Sequence, residues 1–575
     1  MLVGSMVAPD EETAHVVVNF ARRESSSPAN AAAQTFELVD VTIEGVTNRM
    51  FKNAPPTMRE LFAPARGLHE PFLLYEDEQW DFDEVMKEAD ALGYVLVHRY
   101  GIGVGDRVGI AMRNLPEWII SFVAILSVGA ISVSLNAWWT EDELEYAIND
   151  AGLSLLIADS ERISRAHGPC SRAGVAMLGA RLDELLPLAP GVERWRDVVI
   201  PGAPMPLVQI TPETDATILY TSGTTGFPKG AVSTHRAICQ SVMAFSSRAA
   251  HAPSRRTGEQ RVANHSPCFI LIVPLFHVTG CVRVMLTCFY ERYRLVMMYN
   301  WNPERALQLI ERHAVTNFVG VPTQAWDLIE SPNFTQHDTS SLMMVGGGGA
   351  PAPPTLVARV EGAFPNGRPA IGYGMTETNA YGPANSGDDY VSHPTSTGRA
   401  PTIVMDCSIR DENGLDVASN VRGQIWMKSP TLFRGYWRMP AATLESLRDG
   451  WLCSGDLGRI DDDGFLYIDD RSKDMIIRAG ENVYCTEVES AIYEHPSVHE
   501  AAVIGVLHER LGEEVGCVIY RKPGATLSGD ELRTFVASRL ASYKVPTRVA
   551  FADEPLPRNA AGKFMKTQLR QGYFA

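Results

Sequence analysis

The chain has no surplus of positive charge, no paired cysteines and no repeat. Its 51 lysines and arginines face 68 aspartates and glutamates, a formal charge of −17 over 575 residues. A surface built to follow a nucleic-acid backbone needs the opposite imbalance, so no nucleic-acid partner is expected, and an anionic small ligand must find cations gathered locally. The nine cysteines are scattered singly, without a CxxC pair or metal-ligand spacing. That pattern excludes a zinc site and a disulfide framework, and suits buried thiols in a reducing compartment. Residues 118–135, WIISFVAILSVGAISVSL, carry no charge and could span a bilayer by length, but Gly129 and the serines interrupt them. A buried helix, a turn and a strand are expected there instead. The opening MLVGSMVAPDEETAH lacks a basic start followed by an apolar run, which predicts no secretory leader and a cytoplasmic location.

What is present is a long chain, 45% hydrophobic, with length for more than one domain. SSSPANAAA is too small and polar to build a core, and FELVDVTIE then alternates apolar and polar residues as a strand does. From Pro55-Pro56 onward, helical and strand periodicities alternate: strands near residues 72–75, 107–112 and 153–158, and helices over 83–99 and 141–149. This predicts an α/β fold with helices packed on largely parallel sheets. Asp463-Gly464 marks a hairpin, and the polar run DDRSK at 469–473 marks a domain junction. The expected organisation is an amino-terminal extension over 1–55, partly disordered, a large domain over 56–470, and a small α+β lid over 471–575.

The stretch at 220–230, YTSGTTGFPKG, follows an apolar run and combines hydroxyls, glycines and a lysine. Backbone N–H groups and hydroxyls of Thr221, Ser222, Thr224 and Thr225, with Gly223 and Gly226 allowing close approach, can converge on a polyphosphate to which Lys229 adds charge. It is not a Walker A loop, because Lys229 is preceded by Pro228 and followed by Gly230. Four further segments lie downstream. They are VPLFHVTG at 273–280 with a strand delivering His277 into a polar loop, MMVGGGGAPAPP at 343–354, IGYGMTET at 371–378, and GWLCSGDLG at 450–458. The tail carries PRNAAGKFMK, with Lys563 on a glycine-flanked turn.

In this order the motifs resemble those of the adenylate-forming superfamily, in its acyl-CoA synthetase branch, from about Pro56 to the carboxyl end. The resemblance implies that Gly348, Gly349, Ala350 and Pro351 lie along the adenine and the carboxylate pocket, and that His277 lines the acyl pocket. It also implies a nucleotide site in which Gly372, Tyr373, Gly374 and Met375 cover the purine, Thr376 donates to the α-phosphate, and Asp456 and Arg471 reach the ribose and phosphates. Mg²⁺ is implied on Glu377 with Thr224. Lys563 would bridge the acid and the α-phosphate. Lys473 would be the hinge of a mobile small domain that swings Gly480, Glu481 and Asn482 beside the pantetheine arm of CoA.

The implied reaction joins a carboxylic acid to ATP as an acyl-adenylate, then to CoA. No aspartate follows Phe276 to pair a substrate ammonium, and a buried ammonium without a counter-charge is costly, so an amino acid is a poor candidate. A medium- to long-chain fatty acid is the leading expectation. Aryl acids, a carrier-protein acceptor, peripheral membrane contact and a homodimer stay open. A luciferase-like oxygenase has no residue of its own to support it, and a non-catalytic nucleotide-binding protein would not need Glu377, Asp456, Arg471 and Lys563 together.

Overall fold

In the computed structural model, residues 35–43, 45–184, 187–221, 228–251, 266–350, 352–471, 474–478, 481–559 and 562–574 are described. Asp81 starts the helix Phe82–His98 by accepting from the Glu84 N–H, while Glu84 accepts from the Asp81 N–H. This reciprocal cap satisfies two of the amides that a helix start leaves unpaired. Against that helix packs Pro116–Ser127, in which every residue but Glu117 is buried. Gly129, at φ 74°, then turns the chain into the strand Ile131–Ser134. The charge-free stretch is therefore helix, turn and strand inside the core. Among the described residues no helix is long and apolar enough to cross a membrane.

The described strands gather in five sheets. One runs, in spatial order, Gly435–Tyr436, Lys229–Thr234, Asp215–Thr221, Ile131–Ser134, Arg107–Ala111, Leu155–Asp159, Ala176–Ala180 and Val192–Arg194. A second runs Ala384–Ser386, Arg368–Gly372, Met344–Gly348, Asn317–Gly320, Cys268–Leu271, Arg294–Met297, Pro71–Tyr75 and Glu78–Asp81. Their central strands pair in parallel and only the margins are antiparallel, in keeping with the alternation of helices and strands along the chain. The third sheet, built from Ser396–Arg399, Phe465–Arg471, Trp451–Ile460, Gly423–Lys428 and Asp406–Arg410, is antiparallel throughout, and it includes the hairpin expected at Asp463-Gly464.

After Arg471 the chain builds a separate sheet from Ile476–Arg478, Glu481–Val483, Val498–His508, Gly512–Arg521 and Arg548–Ala552. The helices Cys485–Tyr493 and Gly529–Ala537 cover it over a core of its own. At the other end, Leu38–Ile43 and Val46–Phe51 form a hairpin. Its last residue is clamped by Gln240, whose side chain accepts from the Phe51 N–H at 2.9 Å and donates to the Phe51 carbonyl at 3.0 Å. The part of the amino-terminal segment from residue 35 onward is thus packed on the large body. SSSPANAAA and the hinge candidate Lys473 lie outside the described residues.

Glycine is forced where the second sheet closes up. A Cβ on Gly347 would sit 1.5 Å from the Gly320 carbonyl oxygen of the neighbouring parallel strand, so nothing larger fits without parting the strands. By contrast, a Cβ on Gly362, within the helix Pro354–Ala363, meets nothing within 4 Å. The expected outcome is that G347A destabilises the protein by upwards of about 3 kcal/mol or prevents folding, whereas G362A is neutral or stabilising by about 0.4–1 kcal/mol. Denaturant midpoints of the two variants against the parent check this.

Candidate active site

The antiparallel strands Asp215–Thr221 and Lys229–Thr234 set Thr221 opposite Lys229 near the edge of a sheet. Thr221 donates its hydroxyl to the Lys229 carbonyl at 3.4 Å. Ser222, Gly223, Thr224, Thr225 and Gly226 lie outside the described residues. The Lys229 ammonium stands 5.2 Å above the ring of Tyr436. The Tyr436 hydroxyl in turn donates to Glu377 Oε1 at 2.7 Å. Burial, then the Glu377 charge, raise the Tyr436 phenol, which keeps it a donor. Tyr436 therefore ties the phosphate loop's lysine to the acid of IGYGMTET, and no residue pattern near it signals that role.

Glu377 and Thr376 sit on the tight turn Thr376–Thr378. Gly374 permits that turn, since a Cβ there would lie 2.4 Å from the Ala380 carbonyl oxygen. Asn379, at φ 50°, ends it, with its amide donating to the Thr431 carbonyl at 2.9 Å and its own carbonyl accepting from Ser241 at 2.8 Å. The Phe433 N–H donates to the Glu377 carbonyl at 2.8 Å, so the backbone as well as the carboxylate is held. Just upstream, Tyr373 donates its hydroxyl to Asp456 Oδ2 at 2.6 Å. Burial and the adjacent Asp456 charge push that phenol well up. One oxygen of Asp456 is thus already engaged, and the buried Tyr373 ring acts as a strut for the acid as well as a wall. Arg471 pairs with Asp456 across the strands Trp451–Ile460 and Phe465–Arg471.

His277 is not delivered by a strand. The strand Cys268–Leu271 ends well before it, and the intervening segment is largely buried rather than polar. Asn114 shapes that segment, its amide donating to the Val273 carbonyl at 3.1 Å and its carbonyl accepting from the Leu275 N–H at 2.9 Å. Gly280 then lets the chain fold back, because a Cβ there would meet the Pro274 carbonyl at 2.2 Å, and the π-helix Thr279–Leu286 follows. The Thr279 N–H points to His277 Nδ1 at 3.3 Å, which leaves Nε2 to carry the proton of a neutral ring. Burial first, and the charge of Lys563 second, pull its pKa down to about 4.

Gly562, the neighbour of Lys563 at the far end of the chain, lines the same cavity as His277. The flanks of Lys563 are hydrogen-bonded: the Lys563 N–H donates to Asn559 Oδ1 at 3.0 Å, the Gly562 N–H to the Asn559 carbonyl at 2.8 Å, and Arg558 to the Gly562 carbonyl at 2.7 Å. A cavity of about 500 Å³ lies between the two domains at this point. His277, Gly348, Gly349 and Val273 line it from the large domain, and Arg558, Asn559 and Gly562 from the small one. Ala350 borders the same loop, half-buried, and Pro351 lies outside the described residues. Glu481 and Asn482 are not at this cavity; they stand exposed on the short strand Glu481–Val483, and Gly480 lies outside the described residues. Among the described residues no cluster of three or more His, Cys, Asp or Glu side chains could hold a metal. Glu377 alone suits Mg²⁺, which keeps waters and phosphate oxygens as its other ligands rather than needing a protein cage.

A family model described as AMP-binding enzyme matches residues 62–437, and one described as AMP-binding enzyme C-terminal domain matches 487–563. The long-chain-fatty-acid–CoA ligase of Bacillus subtilis (strain 168) is 33% identical over 505 residues, covering 82% of this chain and 86% of its own. A feruloyl-CoA synthase of Amycolatopsis sp is also 33% identical, over 82% of this chain and 90% of its own. The crystal structure of ATP-bound MatB from Rhodopseudomonas palustris superposes with a TM-score of 0.78 at 30% identity, covering 90% of this chain and 99% of that one.

Removing the Tyr436 hydroxyl leaves the half-buried Glu377 carboxylate short of one donor while keeping the ring under Lys229. Y436F is expected to slow ATP–pyrophosphate exchange about tenfold, the scale of a hydrogen bond to a charged group; an exchange rate equal to the parent's would refute the tie. His277 supplies a pH signature. In the folded chain it stays neutral down to about pH 4, while an unfolded chain protonates it near its ordinary 6.5. Unfolding then takes up a proton between those values, so this group's contribution to stability is present above pH 6.5 and declines on acidification toward 4. H277Q is expected to show a shallower loss of stability over that window, read from denaturant midpoints at a series of pH values.

Proposed function

Because the chain belongs to the adenylate-forming AMP-binding enzymes, in their acyl-CoA synthetase branch, we propose that its substrate is an acid with an apolar body, a medium- to long-chain fatty acid first, carried through acyl-AMP to acyl-CoA. The observation that carries this reading is one cavity lined by His277, Gly348 and Gly349 of the large domain and by Gly562 of the small one, the residue next to Lys563. Ile272, Val273, Phe276 and Met298 make much of that wall apolar. The likeness to a feruloyl-CoA synthase supports an aryl acid as the second reading.

In the first step a carboxylate oxygen attacks the α-phosphorus of ATP, and the bond to the bridging oxygen of the departing pyrophosphate breaks. Two anions must meet, so the barrier is chiefly electrostatic and preorganised cations lower it most. Lys563 would sit between the acid and the α-phosphate oxygens, while Thr376 donates to the same phosphate and Lys229 takes charge of the leaving group. Glu377 would hold Mg²⁺, which supplies charge neutralisation to the phosphates when bound. Neutral His277 shapes the wall beside the carboxylate without drawing the acid away from Lys563. Asp456, braced by Tyr373, and Arg471 would receive the ribose and phosphate.

In the second step a thiolate attacks the acyl carbonyl and AMP leaves. Lys563 and the thiol cannot approach one carbonyl from the same side, so the small domain would turn about Lys473, a residue outside those described, to bring Gly480, Glu481 and Asn482 inward. Their exposed position in the present arrangement supports such a turn. Removing one group that stabilises developing charge typically costs about 10²–10³-fold, and K563A is expected to lose at least that much in pyrophosphate release without CoA. A panel of fatty and aryl acids, assayed with and without CoA for pyrophosphate and thioester, tests substrate and acceptor together. Adenylate formation by K563A at the parent's rate would overturn the lysine's role.

A further inference from the structure

The cavity that begins at His277 has a second end, away from the nucleotide residues. There Arg113 lies in the loop between the strand Arg107–Ala111 and the helix Pro116–Ser127. Its guanidinium carbon is 5.6 Å from the Trp138 ring centroid and 5.4 Å from that of Tyr299, and Nη1 donates to the Asn300 amide oxygen. Nε is buried and has no partner. Among the described residues no carboxylate forms an ion pair with this arginine. Asp159 is engaged by Arg162, and Glu161 by Arg162 and Arg165. The acids lining the rest of the cavity are also occupied. Glu500 accepts from Arg558 at 2.9 Å and from the Leu556 N–H at 2.6 Å, and Asp327 accepts from Trp301 at 2.8 Å with burial holding its carboxyl above the usual range.

A guanidinium within about 6 Å of two aromatic rings, with an unmatched N–H donor, is suited to an oxyanion. Its position suits one too, since Arg113, Trp138 and the pair Tyr299-Asn300 all follow strands of parallel sheets, on the carboxyl side where open α/β sheets place their ligands. Trp138 remains 45% exposed, which marks this end as the mouth. Ile272, Val273, Phe276 and Met298 give the cavity apolar wall, and Trp138 contacts Phe276 at a centroid distance of 6.4 Å, one residue from His277. The occupant matching this outline has a flat ring and phosphates at one end and a neutral arm reaching inward. Building on the ligase reading, we infer that Arg113, with Trp138 beside it, binds a phosphate of the nucleotide thiol as the thiol arm enters the cavity.

The test compares thiols that differ in their phosphates. CoA, dephospho-CoA and pantetheine are given to the parent, R113Q and R113K with one acid and ATP at saturation, and adenylate formation without thiol serves as the internal reference. R113Q is expected to raise KM for CoA about tenfold or more, the scale of a lost charge-assisted bond. KM for pantetheine, which carries no phosphate, should stay at the parent's value, with R113K intermediate for CoA. An equal rise with pantetheine would make Arg113 a shaper of the cavity only, and an unchanged KM for CoA would remove it from the thiol site. If instead the KM of the acid rises, and only for acids bearing a second carboxylate, the oxyanion belongs to the acid and the inference is wrong. Should R113Q fail to fold, W138L carries the same comparison, with a rise for CoA and none for pantetheine expected. Failure of the ligase reading itself would appear separately, as a parent enzyme that makes adenylate but no thioester with any of the three thiols.

Discussion

The chemistry proposed for this site depends on one cation, Lys563, brought from the small domain to the large. Two anions approach each other slowly unless a positive charge stands between them, and the large domain's own lysine, Lys229, is held over Tyr436 on the phosphate side. Lys563 must therefore arrive on a turn stiff enough to place it. Glu500 orders Arg558 and the Leu556 amide, Arg558 orders the Gly562 carbonyl, and Asn559 closes the loop onto Lys563 itself. Gly562 completes the fit, since a Cβ there would crowd Val321 of the large domain at 2.9 Å. In the proposed reaction the docking of the small domain would also supply the charge.

The receiving surface is mostly backbone. Met344–Gly348 runs between Asn317–Gly320 and Arg368–Gly372 with its glycines nearly touching the neighbouring carbonyls, so the chain can end in a loop with no side chains to fill the cavity. Removing side chains from one wall puts greater demand on the residues that remain. Tyr373 braces Asp456, Tyr436 braces Glu377, and Asn114 braces the segment leading to His277. Each charged or polar group expected to touch a substrate is oriented by a partner that touches none, and this second layer limits how far the first can drift.

The contrast between these two layers explains what could be read in the chain. The motifs expected to meet phosphate, adenine and ribose are short contiguous runs whose composition carries their chemistry, and the parallel-sheet framework follows from alternating periodicities. Tyr436, Asn114 and Arg113 are single residues far in sequence from the groups they serve, with neighbours that announce nothing. The loop at His277 misled for a related reason. An apolar run resembles a strand whether it is one or is merely buried, and here tertiary packing by Asn114 and Gly280 makes it a turn leading into a π-helix. The hydroxyl-rich turn itself, legible in sequence, falls outside the described residues beyond its flanks at Thr221 and Lys229.

The overall charge of −17 poses a last question, since every proposed substrate is an anion. At physiological ionic strength the field of an exposed charge fades over about 8 Å, so most of the acidic surface is screened before it reaches the cleft. Inside, screening weakens and the balance is local. The carboxylates there are bound to arginine, tyrosine or tryptophan donors, while Lys229 rests over a ring and Arg113 near two rings, where a cation is attracted without being neutralised. Aromatic support keeps those positive charges in place and still available to phosphate oxygens, which a salt bridge would not. An acidic protein can thus concentrate attraction for anions into the one place where its carboxylates are already spoken for.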